Sequence, residues 1–401
     1  MKRNTVIVVA AVAVSAFFMF DPLGLFRKPR TVTRPQADPA AVSTLRSYAE
    51  SHWMRPADYV AGAFADRDVV FLGDFVKTAE IPRFVASLIP ALHAAGVRSL
   101  GLEYALSEDQ ARIDALLSAP AYDEAGARRI TMNFNVTWGY REYVDIFKAA
   151  WEFNRTPAAT GKPFRIVGLN ARYLYEFIQT DTDKTNAEII RKVLANGDTE
   201  SHMADVIRRE FTDKKEKALV YCGLQRACTR FRDTKYATTA TEMKIAETRR
   251  AAEIVSSRIG ARAGTILLHS PWLDASSVIG LSYPFGGEVD ALIDGLPPDR
   301  RTGGFDAAGT PFGSLKVATG WWSVDHPGLT LADICDGYLI LGPISELHAA
   351  SPIDGFIQAA DAEYAVKNYP EPKSKNLSFE TINTVIRDES AFLEQLLRSM
   401  R

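Results

Sequence analysis

Five short apolar runs in this 401-residue chain each end on a polar or ionisable side chain. The end residues are Asp74, Glu103, Asn170, Gln225 with Arg226, and His269. In a parallel sheet, ligands bind outside the carboxyl ends of the strands. These groups are therefore expected on one rim, lining one cavity, although any one of them could instead cap a helix. Asp74 and Glu103 are the most informative pair, because two carboxylates at neighbouring strand ends can share a proton, hold a metal or orient a base. Asp74 has an alternative role as cap of a helix starting near Thr78. Lys77 and Glu80 lie one turn on and either join the site or form a solvated ion pair. His269, within HSPW (269–272), is the one histidine of six at an expected strand end. It is a candidate base or a satisfied structural residue. Arg226 would bind an anionic group or a developing oxyanion. Trp138 and Tyr140 supply either an aromatic wall or core packing.

Positioning these groups requires an α/β fold. The runs DVVFLG (68–73), SLGLE (99–103), FRIVGLN (164–170), ALVYCG (218–223) and TILLH (265–269) read as buried strands, with YLILG (338–342) as a sixth. Helical periods fall between them, over residues 81–95, after Ser107, over 140–153 and over 187–194, and an amphipathic helix covers 378–400. The alternation implies a mostly parallel central sheet flanked by helices. Residues 270–350 are dense in Gly and Pro and are expected as a loop-rich covering segment over the pocket.

Formal net charge is −2, without the basic excess of a nucleic-acid surface. The three cysteines, Cys222, Cys228 and Cys335, are too few for a disulfide framework and read as buried free thiols. No phosphate loop, zincin motif, nucleophile elbow or dinucleotide fingerprint occurs. Lys2 and Arg3 precede an apolar run over residues 5–20, read as a single-pass anchor or a cleaved signal (1–26). A basic, Pro-containing linker (27–40) and one α/β domain (41–401) follow. The globular part is expected outside the cytoplasm, as an exported or periplasmic protein.

The order of motifs resembles a known superfamily, that of the erythromycin esterases, the haem-binding ChaN-like proteins and the Tiki proteases. FLGDFVKTAEIPRF (71–84) followed by GLEYALSEDQARIDALL (101–117) is similar to its opening: a strand ending Leu-Gly-Glu, a nearby histidine, a strand ending in Glu, and a helix with Gln and Leu-Leu. WGYREYVDIFKAAWEFN (138–154), YCGLQRACTRF (221–231), HSPW, GFDAAGTPFGSL (304–315) and CDGYLILGPIS (335–345) continue the likeness over roughly residues 55–360. The resemblance implies a small-molecule ligand, adds Asp306 to the ligand-binding set, and allows haem or a divalent metal as cofactor. Two departures bear on chemistry. The histidine expected after the first strand is Val76 or Lys77, and the one after the fourth is Gln225 or Arg226. Neither valine nor a charged lysine accepts a proton at neutral pH. The favoured expectation is ligand binding without the histidine-base reaction. The alternatives are a divergent hydrolase using Asp74, Glu103 and His269, and a haem or metal carrier.

Overall fold

The computed structural model describes residues 31–231, 249–273, 280–318, 326 and 328–400. The apolar run 5–20 lies outside them. Among the described residues no helix is long and apolar enough to cross a membrane.

In chain order the elements are α1 (Pro39–His52), α2 (Pro56–Gly62), β1 (Val69–Asp74), α3 (Glu80–Ala94), β2 (Ser99–Leu106), α4 (Gln110–Ser118), α5 (Glu124–Phe134), α6 (Arg141–Phe153), β3 (Arg165–Asn170), α7 (Ala187–Val193) and α8 (Thr199–Ile207). They continue with β4 (Ala218–Gly223), α9 (Ala251–Ile259), β5 (Ala263–Leu268), β6 (Trp272–Leu273), β7 (Leu281–Ser282), α10 (Glu288–Asp294), β8 (Gly303–Asp306), α11 (Leu331–Ile334), β9 (Gly337–Ile340), α12 (Ala362–Asn368) and α13 (Phe379–Arg398). One seven-stranded sheet runs in the order β3-β2-β4-β1-β5-β9-β8. It is parallel except for β8, which pairs antiparallel with β9 at one edge. β6 and β7 form a separate antiparallel pair.

All six expected strands form. Val70, Leu102, Val167, Val220 and Leu267 are at most 1% exposed, so the continuous apolar runs do mark strands covered on both faces. Alternation then sorts the side chains. Val70, Leu72, Leu100, Leu102, Leu219, Tyr221, Ile266 and Leu268 point into one core. Val69, Phe71, Val167, Val220 and Leu267 point into the other.

The covering segment is corrected. Residues 270–350 supply α10, β8 and β9 and so extend the sheet itself. The Gly-Gly of β8 hides a strand because it carries no side-chain pattern, and the close packing of Trp53 and Tyr59 against Gly303 and Gly304 explains the missing side chains. The linker is corrected over its described part too. The Val32 amide donates to the Ser399 carbonyl (2.8 Å), Arg34 pairs with Asp294 (2.6 Å), and Asp38 caps α1, so residues 31–40 lie against the body. All three cysteines are buried and free.

The free edge of β3 is closed by one side chain. Gln110 of α4 donates Nε2 to the Ile166 carbonyl (2.9 Å) and accepts from the Gly168 amide at Oε1 (3.1 Å), in the manner of a ladder partner. Gln110→Ala leaves both buried backbone groups unmatched and is expected to cost about 1–3 kcal/mol in urea unfolding, with faster exchange of the Gly168 amide. An unchanged exchange rate would assign the edge's protection to something else.

Candidate functional site

Asp74, Glu103 and His269 all lie at the carboxyl side of the sheet, but the structure distributes them among three separate networks. The reason is alternation along each strand. Asp74 continues the face of Val70 and Leu72, whereas His269 continues that of Leu267, so the two side chains enter opposite cores despite sitting on neighbouring strands. Glu103 shares the His269 side, but β4 and β1 separate their strands. Three inter-strand steps amount to about 14 Å.

The first network is a tyrosine cage around Asp74. Tyr221 (2.5 Å), Tyr143 (2.8 Å) and Tyr104 (3.3 Å) all donate to Oδ2, while Oδ1 is buried without a hydrogen-bond partner. Burial pushes the carboxyl up to about 7, against the lowering effect of the three phenols, with Glu103 adding to the rise. Burial and the adjacent Asp74 hold the tyrosines well above their ordinary range, so they remain donors. Asp74 therefore does not cap α3, which starts at Glu80 without a side-chain cap.

Lys77 borders this cage and departs from the solvated ion pair weighed above. Its φ is +67°, in the left-handed region, and its amide donates to Tyr143 Oη (2.8 Å). The side chain turns inward, where Nζ lies 2.5 Å from Glu389 Oε2 of α13. Nζ also sits 5.0 Å from the Trp138 ring and 5.3 Å from that of Tyr140. Trp138 and Tyr140 are 6% and 0% exposed, so they form core wall around an ammonium. Glu80 pairs instead with His348 (3.2 Å).

The second network surrounds Glu103. Oε2 accepts from the Gly223 amide (2.8 Å) and Oε1 from Arg226 Nη1 (2.9 Å). Arg226 Nε lies 3.2 Å from Glu200 of α8, which also pairs with the buried Arg250 (3.1 Å) and caps the Ala251 amide (2.9 Å). Gln225 accepts from Arg250 (3.3 Å). The turn 224–227 presses onto β1 at Gly73, where a Cβ would meet Leu267 at 2.8 Å and Ala227 at 3.0 Å, so a side chain there would push the turn outward. A Cβ added at Gly223 would lie 3.6 Å from Glu103 Oε2 and 3.9 Å from Val76 Cγ1. Val76 thus stands beside the carboxylate, and Phe75, Val76 and residues 223–226 are only half-buried. This is the strand-end surface that a solute can reach.

The third network is His269, fully buried. Nδ1 is 2.8 Å from Tyr338 Oη and Nε2 is 3.2 Å from Asp290 Oδ2. Burial raises the Asp290 carboxyl, but His269 and the Ile344 amide outweigh it and hold the group below its ordinary value. Asn170 belongs to none of the three. Its Oδ1 accepts from Ala171 N (2.9 Å) and Thr199 (3.4 Å).

The single cavity expected for Asp74, Glu103, Asn170, Arg226 and His269 is thus corrected. Concavities of about 560 Å³, beside Arg34 and Arg46, and about 710 Å³, beside Val366 and Phe379, lie elsewhere and are lined by none of these residues. Asp306 is likewise far from the rim. β8 runs antiparallel, so its last residue pairs with Gly337 at the amino end of β9, and the carboxylate accepts from Tyr59 (3.0 Å). Among the described residues no group of three or more His, Cys, Asp or Glu is placed to hold a metal.

Sequence reasoning missed Glu200, Arg250, Asp290, Tyr338 and Glu389, whose positions on helices or a distant strand carry no local signal. Tyr104 and Tyr221 were legible, since each follows a core residue, Leu102 or Leu219, at the two-residue spacing that shares Asp74's face.

Fold and site together define an α/β protein with a mostly parallel sheet and a carboxylate–guanidinium pair at its strand-end rim. No protein-family profile and no curated protein matches the chain. The fold is similar to that of a Bacillus cereus protein solved by structural genomics, at TM-score 0.50 and 9% identity, covering 78% of this chain and 99% of that one. It is also similar to a succinoglycan biosynthesis protein, at TM-score 0.51 and 12% identity, covering 78% and 97%. An erythromycin esterase, a variant of EreC in its open conformation, is among the similar structures at TM-score 0.47 and 11% identity, covering 72% and 96%.

Proposed function

We propose that this protein binds a small polar molecule at the Glu103–Arg226 rim and does not carry out histidine-base hydrolysis. The observation that supports this reading is the surroundings of Glu103. Val76 stands where the resembling family places an imidazole, Lys77 is turned away into the Glu389 pair, and His269 is engaged by Tyr338 and Asp290 three strands away. A general base must reach the proton it removes, within about 3 Å or through one water. The rim instead offers the half-buried Arg226 guanidinium beside the apolar Phe75 and Val76, held from behind by the buried carboxylates of Glu103 and Glu200. Such a mixture of apolar wall and few oriented polar groups suits a small ligand. The second proposal concerns location: the globular part is held outside the cytoplasm through residues 5–20. A basic start, Lys2 and Arg3, followed by an apolar run is the pattern of an export signal or signal anchor and supports it. The basic Arg27, Lys28, Arg30 and Arg34 on the other side mean that the support comes from that pattern and not from the charge balance. Carbonate extraction of cells expressing the full chain is expected to leave it in the membrane pellet, and release into the supernatant would end the anchor reading.

Two assays test the function. With a macrolide lactone as probe, wild-type turnover is expected at the buffer rate. Robust turnover that survives His269→Ala would show that another base operates. In a thermal-shift screen of small polar metabolites, a ligand at about 100 times its Kd should stabilise the wild type by about 2.7 kcal/mol. Glu103→Gln and Val76→Trp should abolish that shift. A ligand whose effect ignores both substitutions would place the binding site elsewhere.

A further inference from the structure

Lys77 and Glu389 take no part in the proposed binding, yet they are arranged in a way that a plain structural ion pair does not require. They lie 312 residues apart, and their side chains are 8% and 1% exposed. Nζ and Oε2 are 2.5 Å apart. Tyr140 Oη, itself fully buried, donates to the same Oε2 (2.9 Å). The second carboxylate oxygen, Oε1, is buried with no hydrogen-bond partner. Trp138 and Tyr140 enclose the ammonium. The left-handed backbone at Lys77, fixed by Tyr143 on its amide and by the Ala350 amide on its carbonyl (2.7 Å), aims the amine inward.

We propose that Lys77 and Glu389 form an intramolecular isopeptide bond. Nζ and Oε2 are in contact, so the first step passes one ammonium proton directly to Oε2. The neutral amine then attacks Cδ of Glu389. The bond Nζ–Cδ forms and charge collects on Oε1, the nitrogen hands a second proton to Oε2, where the Tyr140 hydroxyl also donates, and the bond Cδ–Oε2 breaks. Oε2 leaves as water, carrying two of the three ammonium protons, and the third stays on the amide nitrogen. No oxidant, reductant or activating reagent is needed. Holding the reactants in contact raises the effective concentration to the order of 10⁵ M or more. Exclusion of water from the aromatic enclosure keeps the condensation from reversing. The product ties the end of the central strand β1 to the C-terminal helix α13. It would supply a covalent staple in a chain whose described cysteines form none.

Tryptic peptide mapping of the purified full chain tests this. The wild type should show one linked peptide, lighter by the mass of one water than the sum of its two parts, with no cleavage after Lys77. Lys77→Arg keeps the cation and the ion pair but not the nucleophile, and Glu389→Ala removes the electrophile. Both should yield the two peptides separately. Tyr140→Phe should slow appearance of the linked peptide in freshly made protein without preventing it. If the wild type yields both peptides unlinked, and is cleaved after Lys77 as completely as the folded Lys77→Arg variant is at the same position, the pair is an ion pair only and the proposal fails.

Discussion

Replacing His269 by alanine is expected to destabilise the fold by about 3–5 kcal/mol, because it strips a buried carboxylate of its partner. Asp290 is 1% exposed, and apart from His269 its hydrogen bond from the Ile344 amide is its main local support. The imidazole touches both neighbours at once, with Nδ1 2.8 Å from Tyr338 Oη and Nε2 3.2 Å from Asp290 Oδ2. The residue thereby ties β5 to β9 and α10. His269→Gln preserves a donor and an acceptor and should lose less than the alanine variant. The pH dependence gives an independent reading. Asp290's carboxyl is lowered in the folded state, so its contribution is present above its unfolded value and disappears as pH falls through the folded one. Wild type and His269→Ala should therefore differ most near neutrality and converge in strong acid, as measured by urea unfolding across pH. A His269→Ala protein with wild-type stability at pH 7 would refute the structural role and return His269 to consideration as a base.

Asp74 is expected to act in the opposite sense. Its carboxyl is raised from 3.8 to about 7, so between those values the folded state holds a proton that the unfolded chain has released. Stability from this group is complete below about pH 3.8 and declines as pH rises, at about 1.36 kcal/mol per pH unit, for a total of about 4 kcal/mol by pH 7. Asp74→Asn resembles the protonated carboxyl and offers the same acceptor to Tyr104, Tyr143 and Tyr221. It should match the wild type near pH 4 and exceed it at pH 8, so that the difference between the two proteins carries the signature while other titrations cancel. The tyrosine hydrogen bonds already reduce the penalty, so Asp74→Ala should be worse than wild type at every pH, since it leaves three buried phenols without their acceptor. Equal slopes of stability against pH for wild type and Asp74→Asn would mean that the cage keeps the carboxylate ionised throughout.

The strand-end residues thus divide by place. Asp74 and His269 hold the fold together on opposite faces of the sheet, and at the rim the half-buried Arg226 is held by the buried Glu103. That division also explains why the expected histidine chemistry has no support at this rim: the one strand-end imidazole is consumed by Asp290 and Tyr338.

Much of the architecture is a local property of the chain. Runs such as VVFLGD and ALVYCG can satisfy their burial only as central strands, and the periods between them only as helices, so the class of fold and the strands carrying Asp74, Glu103 and His269 follow from sequence alone. Alternation also carries the face of each side chain: the spacing from Val70 through Leu72 to Asp74, and from Leu267 to His269, already separates them once the cores are assigned. Strand order is different. Whether Glu103 neighbours His269 depends on β4 and β1 lying between their strands, and crossover connections do not announce which neighbour a strand will take. Partners from far along the chain are likewise invisible locally. Glu389 reaches Lys77 from 312 residues away, and Asp290 reaches His269 from a short helix inside a Gly- and Pro-rich stretch. A lysine reads as solvated surface until tertiary packing closes Trp138, Tyr140 and α13 over it, because burial is decided by what covers a residue and not by the residue itself.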